Sequence, residues 1–296
     1  MSISSINGQS IDEISAVNNV SKATIDKINS VDAAAGFAVD YSIDFNGSNQ
    51  YANFGNLANT SVQPTQATMN TNGYTLSAWV YVDSLTSGEC VINVGSSGTN
   101  NYYGLKIFIN GNGAFVFHVF GLNQGFAGAG SNNRNTIRTA NSAISAGQWY
   151  HLAVVVPAGS MGSTQERDEW RLYKNGSVVN PSSYVKSGNQ NVQLTYTGNT
   201  SVGAWTRNSN QTFFDGEINN QAVFDSELNA SNIAAIYNSG SPLDLSTNSG
   251  NYTKSGSLAA WWRYNEGTGT SYTDSSGNGR TGAGVNSPTW SSNVPT

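Results

Sequence analysis

The chain has 296 residues, a formal net charge of −5 and a single cysteine, Cys90. The acidic balance argues against nucleic acid or an anionic membrane as the main partner, and one cysteine forbids an internal disulfide. Only 10% of residues are charged while 11% are aromatic on a background of Gly, Asn, Ser and Thr, which is the composition of short strands separated by many turns. The aromatic and β-branched content excludes a disordered chain. No apolar run is long enough to cross a membrane, and the first residues lack a basic and then apolar leader, so the expectation is a soluble protein made in a cytoplasm.

Residues 1–36 differ from everything after them. Two fourteen-residue units align, Ile3–Ala16 and Val17–Ser30, with Val31 beginning a third. Ile3, Ile6, Ile11 and Ile14 recur as Val17, Val20, Ile25 and Ile28. Ser10 with Glu13 has capping-box spacing, and Asn7-Gly8 and Asn18-Asn19 mark turns. Two units are too few to bury their own apolar positions. The segment is then either a solvated leader or a docking arm. A solvated leader has no reason to keep its apolar residues in register, which favours docking.

Strand signals begin at Tyr41. Tyr41, Ile43 and Phe45 alternate, the chain turns at Asn46-Gly47, and Tyr51 and Phe54 resume the pattern. In Tyr74–Ser84, Leu76, Ala78, Val80 and Val82 alternate against Thr75, Ser77, Trp79 and Tyr81. Gly111-Asn112-Gly113 is a hairpin tip between apolar runs, and Gly147–Val154 and Glu169–Val179 are further strands. Gln211–Gly240 reads as an apolar run, an acidic turn at Asp215-Gly216, a strand from Glu217 to Phe224, and a short helix. That helix starts at Asn229 or Ser231 and carries Leu228, Ile233, Ile236 and Tyr237 at helical spacing. It is expected to lie across an edge or loop that the sheets leave open. Residues 241–257 read as a polar linker.

These motifs resemble the laminin-G-like (concanavalin-A-like lectin/glucanase) jelly roll. The pieces that carry the likeness are the Phe213-Phe214-Asp215-Gly216 stretch, the Tyr74–Val82 strand, and Trp149-Tyr150-His151-Leu152-Ala153. The resemblance implies an all-β, antiparallel two-sheet sandwich over residues 37–240. Leu258–Tyr264 and Asp274-Ser275-Ser276-Gly277-Asn278-Gly279 are similar to the segment that precedes the family's first strand. Here that segment stands at the C-terminus, within 258–296, as though the domain were circularly permuted. It then adds a strand to its own sandwich or, by exchange, to a neighbour's in a homo-oligomer. The leader resembles those of structural proteins of tailed, particularly marine, bacteriophages.

Chemistry is sparse, and no enzyme is expected. A glycosidase on this fold needs carboxylates in a row along a strand, whereas Glu166-Arg167-Asp168-Glu169 lies at a loop-to-strand junction. His118 and His151 have no Cys or second His at ligand spacing. Cys90 reads as a small buried apolar residue. The resemblance implies a structural calcium with Asp215, Asp274 and Asn278 as ligands, although Asn46, Gln50 and Asn219-Asn220 replace acids of the family pattern. Asx turns that simply fix loops are the alternative.

Glycan binding calls for aromatic platforms with amides on loops. Trp205, Asn123, Gln124, Phe126, Tyr102 and Tyr103 have that make-up, with Asn100 and Asn101 beside them. Trp79, Trp149 and Trp170 read as core. Trp261 and Trp262 must face opposite ways, so one is expected at a surface or interface. The reading that unites these features is a non-enzymatic virion surface protein, a capsid decoration or tail-fibre component. It would bind other virion proteins through its arm and host glycans through its jelly roll. A freestanding bacterial carbohydrate-binding module is the alternative.

Overall fold

The structure is a computed structural model that describes residues 37–85, 88–95, 104–123, 134–161, 168–187, 192–194, 196, 198–205 and 212–296, with four two-residue strands before them. The chain divides into two compact units, Met1–Ala38 and Val39–Thr296. No described helix is long and apolar enough to cross a membrane.

In the first unit β1 (Ser5–Ile6) pairs with β2 (Gln9–Ser10), and β3 (Ala16–Val17) pairs with β4 (Val20–Ser21). Ser5 to Ala16 and Gln9 to Val20 are each eleven residues apart, so the repeat is not fourteen residues long. At the new spacing Ile3, Ile14 and Ile25 align, as do Ile6, Val17 and Ile28, and Asn7, Asn18 and Asn29. The units become 3–13, 14–24 and 25–35. Apolar residues recur three apart within a unit (Ile3 and Ile6, Ile14 and Val17), so eleven plus three gives a false match at fourteen. Of the expected docking residues, Ile6, Val17 and Val20 lie on these strands; Ile3, Ile11, Ile14, Ile25 and Ile28 lie outside the described residues.

The second unit is all-β, two antiparallel sheets stacked as a jelly-roll-like sandwich. Its chain order begins β5 (Ser42–Asn46), β6 (Tyr51–Asn53), α1 (Gln66–Asn72), β7 (Tyr74–Val82) and β8 (Glu89–Val94). It continues β9 (Gly104–Ile109), β10 (Phe115–Asn123), β11 (Arg134–Arg138), β12 (Trp149–Val156), β13 (Arg171–Lys174) and β14 (Ser177–Val179). Then come β15 (Ser183–Ser187), β16 (Val192–Leu194), β17 (Ser201–Val202), β18 (Ala204–Trp205), β19 (Thr212–Phe213), β20 (Asp215–Phe224) and α2 (Ala230–Tyr237). The last strands are β21 (Leu258–Trp262), β22 (Ser271–Tyr272), β23 (Gly282–Val285) and β24 (Thr289–Ser291).

A ten-stranded sheet runs β15-β11-β10-β9-β8-β17-β6-β23-β22, with β16 joined to β10. An eight-stranded sheet runs β14-β13-β12-β7-β20-β5-β24, with β21 joined to β20. Alternation puts Leu76, Ala78, Val80 and Val82 inward from one sheet and Leu105, Ile107, Phe115, Phe117 and Val119 inward from the other, all buried in one core. Trp170 closes that core edge-on against Phe117, 5.4 Å between ring centres.

One side of β20 is lined by β7 along most of its length, whereas the other side is shared. β5 pairs with Asp215–Ile218, and β21 pairs with Gln221–Phe224. A bulge lies at the changeover, with Asn220 at φ 46°, a left-handed backbone that Asn tolerates better than most residues. The two asparagines tie the flanking chains together there. Asn219 Nδ2 donates to the Tyr41 carbonyl at 2.7 Å, and Trp261 Nε1 donates to Asn220 Oδ1 at 3.0 Å. Asn219-Asn220 is therefore a splice between the first and the C-terminal strands.

β21 thus pairs within its own chain, and the C-terminal segment feeds both sheets, since β23 pairs with β6 and β24 with β5. Both tryptophans of β21 are buried: Trp262 in the core, 3.9 Å from the Phe54 ring, and Trp261 on the opposite face. The expectation that one is exposed fails because the outer face of this sheet is itself covered. α2 provides part of that cover. Asn229 caps it by accepting from Asn232 N, Ile233 and Ile236 are buried, and Tyr237 stacks on Trp79 at 5.6 Å. It therefore lies on the back of the eight-stranded sheet rather than across an open edge. The segment 241–257 is more than a linker: Leu245 and Tyr252 are buried, and Thr253 N donates to Asn232 Oδ1 at 2.9 Å.

Candidate functional site

The ten-stranded sheet turns a polar row outward. Register aligns Thr136, His118, Lys106, Asn93, Ser201 and Asn53 across six adjacent strands, on the face opposite the core residues Leu105 and Phe117. Aromatic rings flank it. Phe108 stacks on His118 at 4.8 Å, and Trp205 stacks on Phe120 at 5.9 Å with 17° between planes. Lys106 Nζ stands 3.6 Å from the centre of the Trp205 ring and 4.5 Å from that of Phe108, close enough for cation–π attraction. His118 Nδ1 and Thr136 Oγ1 lie 2.6 Å apart.

This cluster is enclosed. Lys106 is 5% exposed and Trp205 9%, so the indole is not a bare platform. What makes the region a candidate site is topology. The pairs Val94–Leu105, Gly104–Phe120, Phe120–Arg134 and Arg134–Ser187 set the ends of β8, β9, β10, β11 and β15 side by side. Connections 96–103 and 124–133 leave from that end, beside the Trp205–Phe120 stack. They carry Asn100, Asn101, Tyr102, Tyr103, Gln124 and Phe126, which lie outside the described residues. Asn123 is the last residue of β10 and pairs with Val192. Of the described candidates, Asn123 lies on β10 of this sheet, and Trp205, on β18, stacks against Phe120 of the same strand.

The calcium candidates do not converge. Asp215 pairs with Asn46 at one end of β20, while Asp274 bridges to Trp262 near the other end, opposite Gln221. Six residues along a strand separate these places by about 20 Å. The Asp274 carboxylate accepts backbone N–H groups of Trp261 (3.0 Å), Ser276 (3.0 Å) and Arg280 (2.9 Å). Asn278 Nδ2 donates to the carbonyls of Leu258 and Ala259. Asp274 thus already serves three backbone N–H groups, and Asn278 turns its donor Nδ2 toward backbone carbonyls. Asp215 Oδ2 accepts from Ser84 Oγ at 2.5 Å. Asn46 Oδ1 accepts from Ser48 N, and Gln50 Nε2 donates to the carbonyls of Asn286 and Ser287. Among the described residues no three His, Cys, Asp or Glu side chains are placed to hold a metal. Asp215, Asp274 and Asn278 therefore do not form one shared calcium site.

Glu217 was missed by the sequence reading, although Asp215 and Glu217 stand at strand spacing. Its Oε1 accepts from Ser291 Oγ and Asn293 Nδ2, and Asn293 also takes the Trp149 indole N–H at 3.1 Å. Burial, then the neighbouring Asp83 and Asp44 carboxylates, push the Glu217 carboxyl above its ordinary range; the bonds from Asn293 and Ser291 oppose this. It holds the last strand in place. Asp168 and Glu169 lie in an exposed turn, not along a strand, while Glu166 lies outside the described residues. His151 is fully buried and bonded through Nε2 to Ser77 Oγ at 2.8 Å, and burial pulls its pKa down to about 3. Burial pushes the Cys90 thiol up to about 12, which makes it inert.

Comparison with solved structures finds a protein from Bacteroides ovatus, described as a candidate carbohydrate binding protein. It is 14% identical with a TM-score of 0.51, the match covering 87% of this chain and 61% of that one. The likeness shows a shared fold, and the chain spans about 61% of that relative's length. The CBM40 module of a Ruminococcus gnavus sialidase, bound to α2,3-sialyllactose, is 17% identical with a TM-score of 0.45 over 66% of this chain and 96% of that one. Comparison with curated protein sequences gives no match. Residues 46–234 match the family described as the concanavalin A-like lectin/glucanases superfamily, which is well over half of the chain. The chain belongs to the concanavalin A-like lectin/glucanases superfamily.

Proposed function

We propose that the protein is a non-enzymatic glycan-recognition protein of a bacteriophage virion surface, a capsid decoration or tail-fibre component. In this reading the jelly roll contacts host glycans and the arm docks to other virion proteins. The observation that carries the glycan half is the Trp205–Phe120 stack beside the strand ends from which connections 96–103 and 124–133 depart. Those connections supply aromatic faces and amides, the groups that recognise sugars. The solved relative described as a candidate carbohydrate binding protein shares the fold, which is compatible with this use and does not require it. The virion half rests on the resemblance of the leader and on the arm being a compact unit of its own. A freestanding bacterial carbohydrate-binding module is the second reading, favoured by the same strand ends.

A glycan array probed with the full chain tests the first half. Trp205→Ala and Tyr102→Ala/Tyr103→Ala are expected to lose at least about tenfold in binding while the fold still melts cooperatively. No glycan above background would sink that half. Antibody to the jelly roll should label intact particles at the capsid or tail fibre; unlabelled particles would leave the freestanding module.

A further inference from the structure

Five strands of the eight-stranded sheet line up one row of side chains on its outer face. Register sets Trp149 of β12 opposite Tyr81 of β7, Tyr81 opposite Glu217 of β20, Glu217 opposite Asp44 of β5, and Asp44 opposite Thr289 of β24. Asp83 continues this face two residues beyond Tyr81, its N–H donating to the Asp215 carbonyl at 2.9 Å. Glu217 is 8% exposed and forms the floor of the patch, whereas Asp44, Tyr81 and Trp149 are partly exposed and Asp83 is exposed. The Tyr81 and Trp149 rings lie 5.7 Å apart at 56° to each other. Like charges directly opposite one another across a strand pair are destabilising, and Glu217 stands opposite Asp44. Ser291 Oγ and Asn293 Nδ2 donate to Glu217 Oε1, but Oε2 is buried with no hydrogen-bond partner. A buried acceptor without a donor is costly. Burial first, then Asp83 and Asp44, raise the Glu217 carboxyl; burial, then Asp215 and Asp44, raise that of Asp83. No lysine or arginine is among the groups acting on either. Among the described residues, then, three carboxylates and two aromatic rings share a face without a positive partner.

We propose that this patch binds a small organic molecule bearing a primary ammonium group, with the ammonium on Asp83 and Asp44 above Glu217 and the carbon frame against Tyr81 and Trp149. One ammonium brings both a positive charge and three N–H donors, so it answers the like-charge row and its unserved acceptors together. The aromatic faces add cation–π attraction and apolar contact. A quaternary ammonium would offer the charge without the donors. A bare metal ion is not the occupant, since among the described residues no three His, Cys, Asp or Glu side chains are placed to hold one. The patch lies on the eight-stranded sheet, whereas the glycan reading concerns strand ends of the ten-stranded sheet, so either can fail alone.

The test is isothermal titration calorimetry of the full chain near neutral pH with putrescine, glucosamine and N-acetylglucosamine. The two amines are expected to bind, more weakly as salt is raised, and N-acetylglucosamine, whose nitrogen is uncharged, is not. Binding of glucosamine alone assigns the patch to amino sugars, and binding of putrescine alone to linear amines; either upholds the ammonium reading. Asp83→Asn, at an exposed position, should melt like wild type and weaken amine binding about tenfold or more, because a charged acceptor is lost. Asp44→Asn, made separately, should do the same. Tyr81→Leu should weaken binding by about threefold. No heat from either amine, N-acetylglucosamine binding as tightly as glucosamine, or undiminished amine binding by a folded Asp83→Asn or Asp44→Asn variant would each overturn the proposal.

Discussion

The outer faces of the two sheets are put to different uses. On the eight-stranded sheet, Tyr237 of α2 packs on Trp79 and His151, and Trp261 is buried with its indole N–H on Asn220. On the ten-stranded sheet, Lys106, His118 and Trp205 are packed beside strand ends whose connections are rich in Tyr, Asn and Gly. Trp79 and Trp261 on the first face are building parts. A tryptophan on the second stands beside strand ends from which connections 96–103 and 124–133 depart. Polar or aromatic character alone does not mark a site in this sandwich; what the chain does with the space above the face decides it.

The comparison can be broken hardest at Trp262, which joins the C-terminal strand to Phe54 of the opposite sheet. Trp262→Ala is expected to lower stability by about 3–5 kcal/mol in chemical denaturation, through lost burial and the cavity left behind. Asp274→Ala should cost about 3 kcal/mol, because three backbone N–H groups lose a charged acceptor. If Asp274 instead held a cation, chelator would lower the wild-type melting temperature; no shift is expected.

His151 sharpens the contrast by pH. Its folded pKa of about 3 lies below the ordinary value of roughly 6.5, so the unfolded chain takes up the proton first. Stability present above pH ~6.5 is therefore lost as pH falls toward ~3, about 2 kcal/mol of it by pH 5. A His151→Asn variant should show a flatter pH profile over that window. Glu217 acts in the opposite sense: its raised pKa lets the folded protein take up a proton before the unfolded chain does, which favours the fold as pH falls. At the small end, Val178 on β14 is 53% exposed, and Val178→Ser should change stability by no more than about 0.5 kcal/mol.

Much of the sandwich was legible. Leu76, Ala78, Val80 and Val82 alternate in the sequence and point inward in the fold, and the Asn110–Gly113 turn joins the strands that Gly111-Asn112-Gly113 suggested. Local pattern reports the pleat. It does not report what lies over the back of a strand, which is why one of Trp261 and Trp262 is expected at a surface or interface and the helix at an edge or loop, whereas both tryptophans are buried and the helix packs on Trp79. It also misled in the arm, where three-residue recurrence inside each unit masqueraded as a longer period. Of the candidate glycan residues only Trp205 and Asn123 fall within the described strands, and no local pattern told that Trp205 is enclosed beside Lys106 and Phe120. The side-by-side setting of the ends of β8, β9, β10 and β11 was not legible either, because register is a long-range property that no local window contains.

The splice at Asn219-Asn220 has a consequence for how the protein is made. The first strand and the C-terminal strands share one side of β20, and the C-terminal strands supply partners to both sheets. During synthesis these strands leave the ribosome after every other strand of the sandwich. Until they emerge, half of one side of β20 and the outer edges of β5 and β6 lack the partners they will keep. The sandwich can therefore close only once residues 258–291 have emerged, and a ribosome stalled before Leu258 would hold a nascent protein with open strand edges and no cooperative fold.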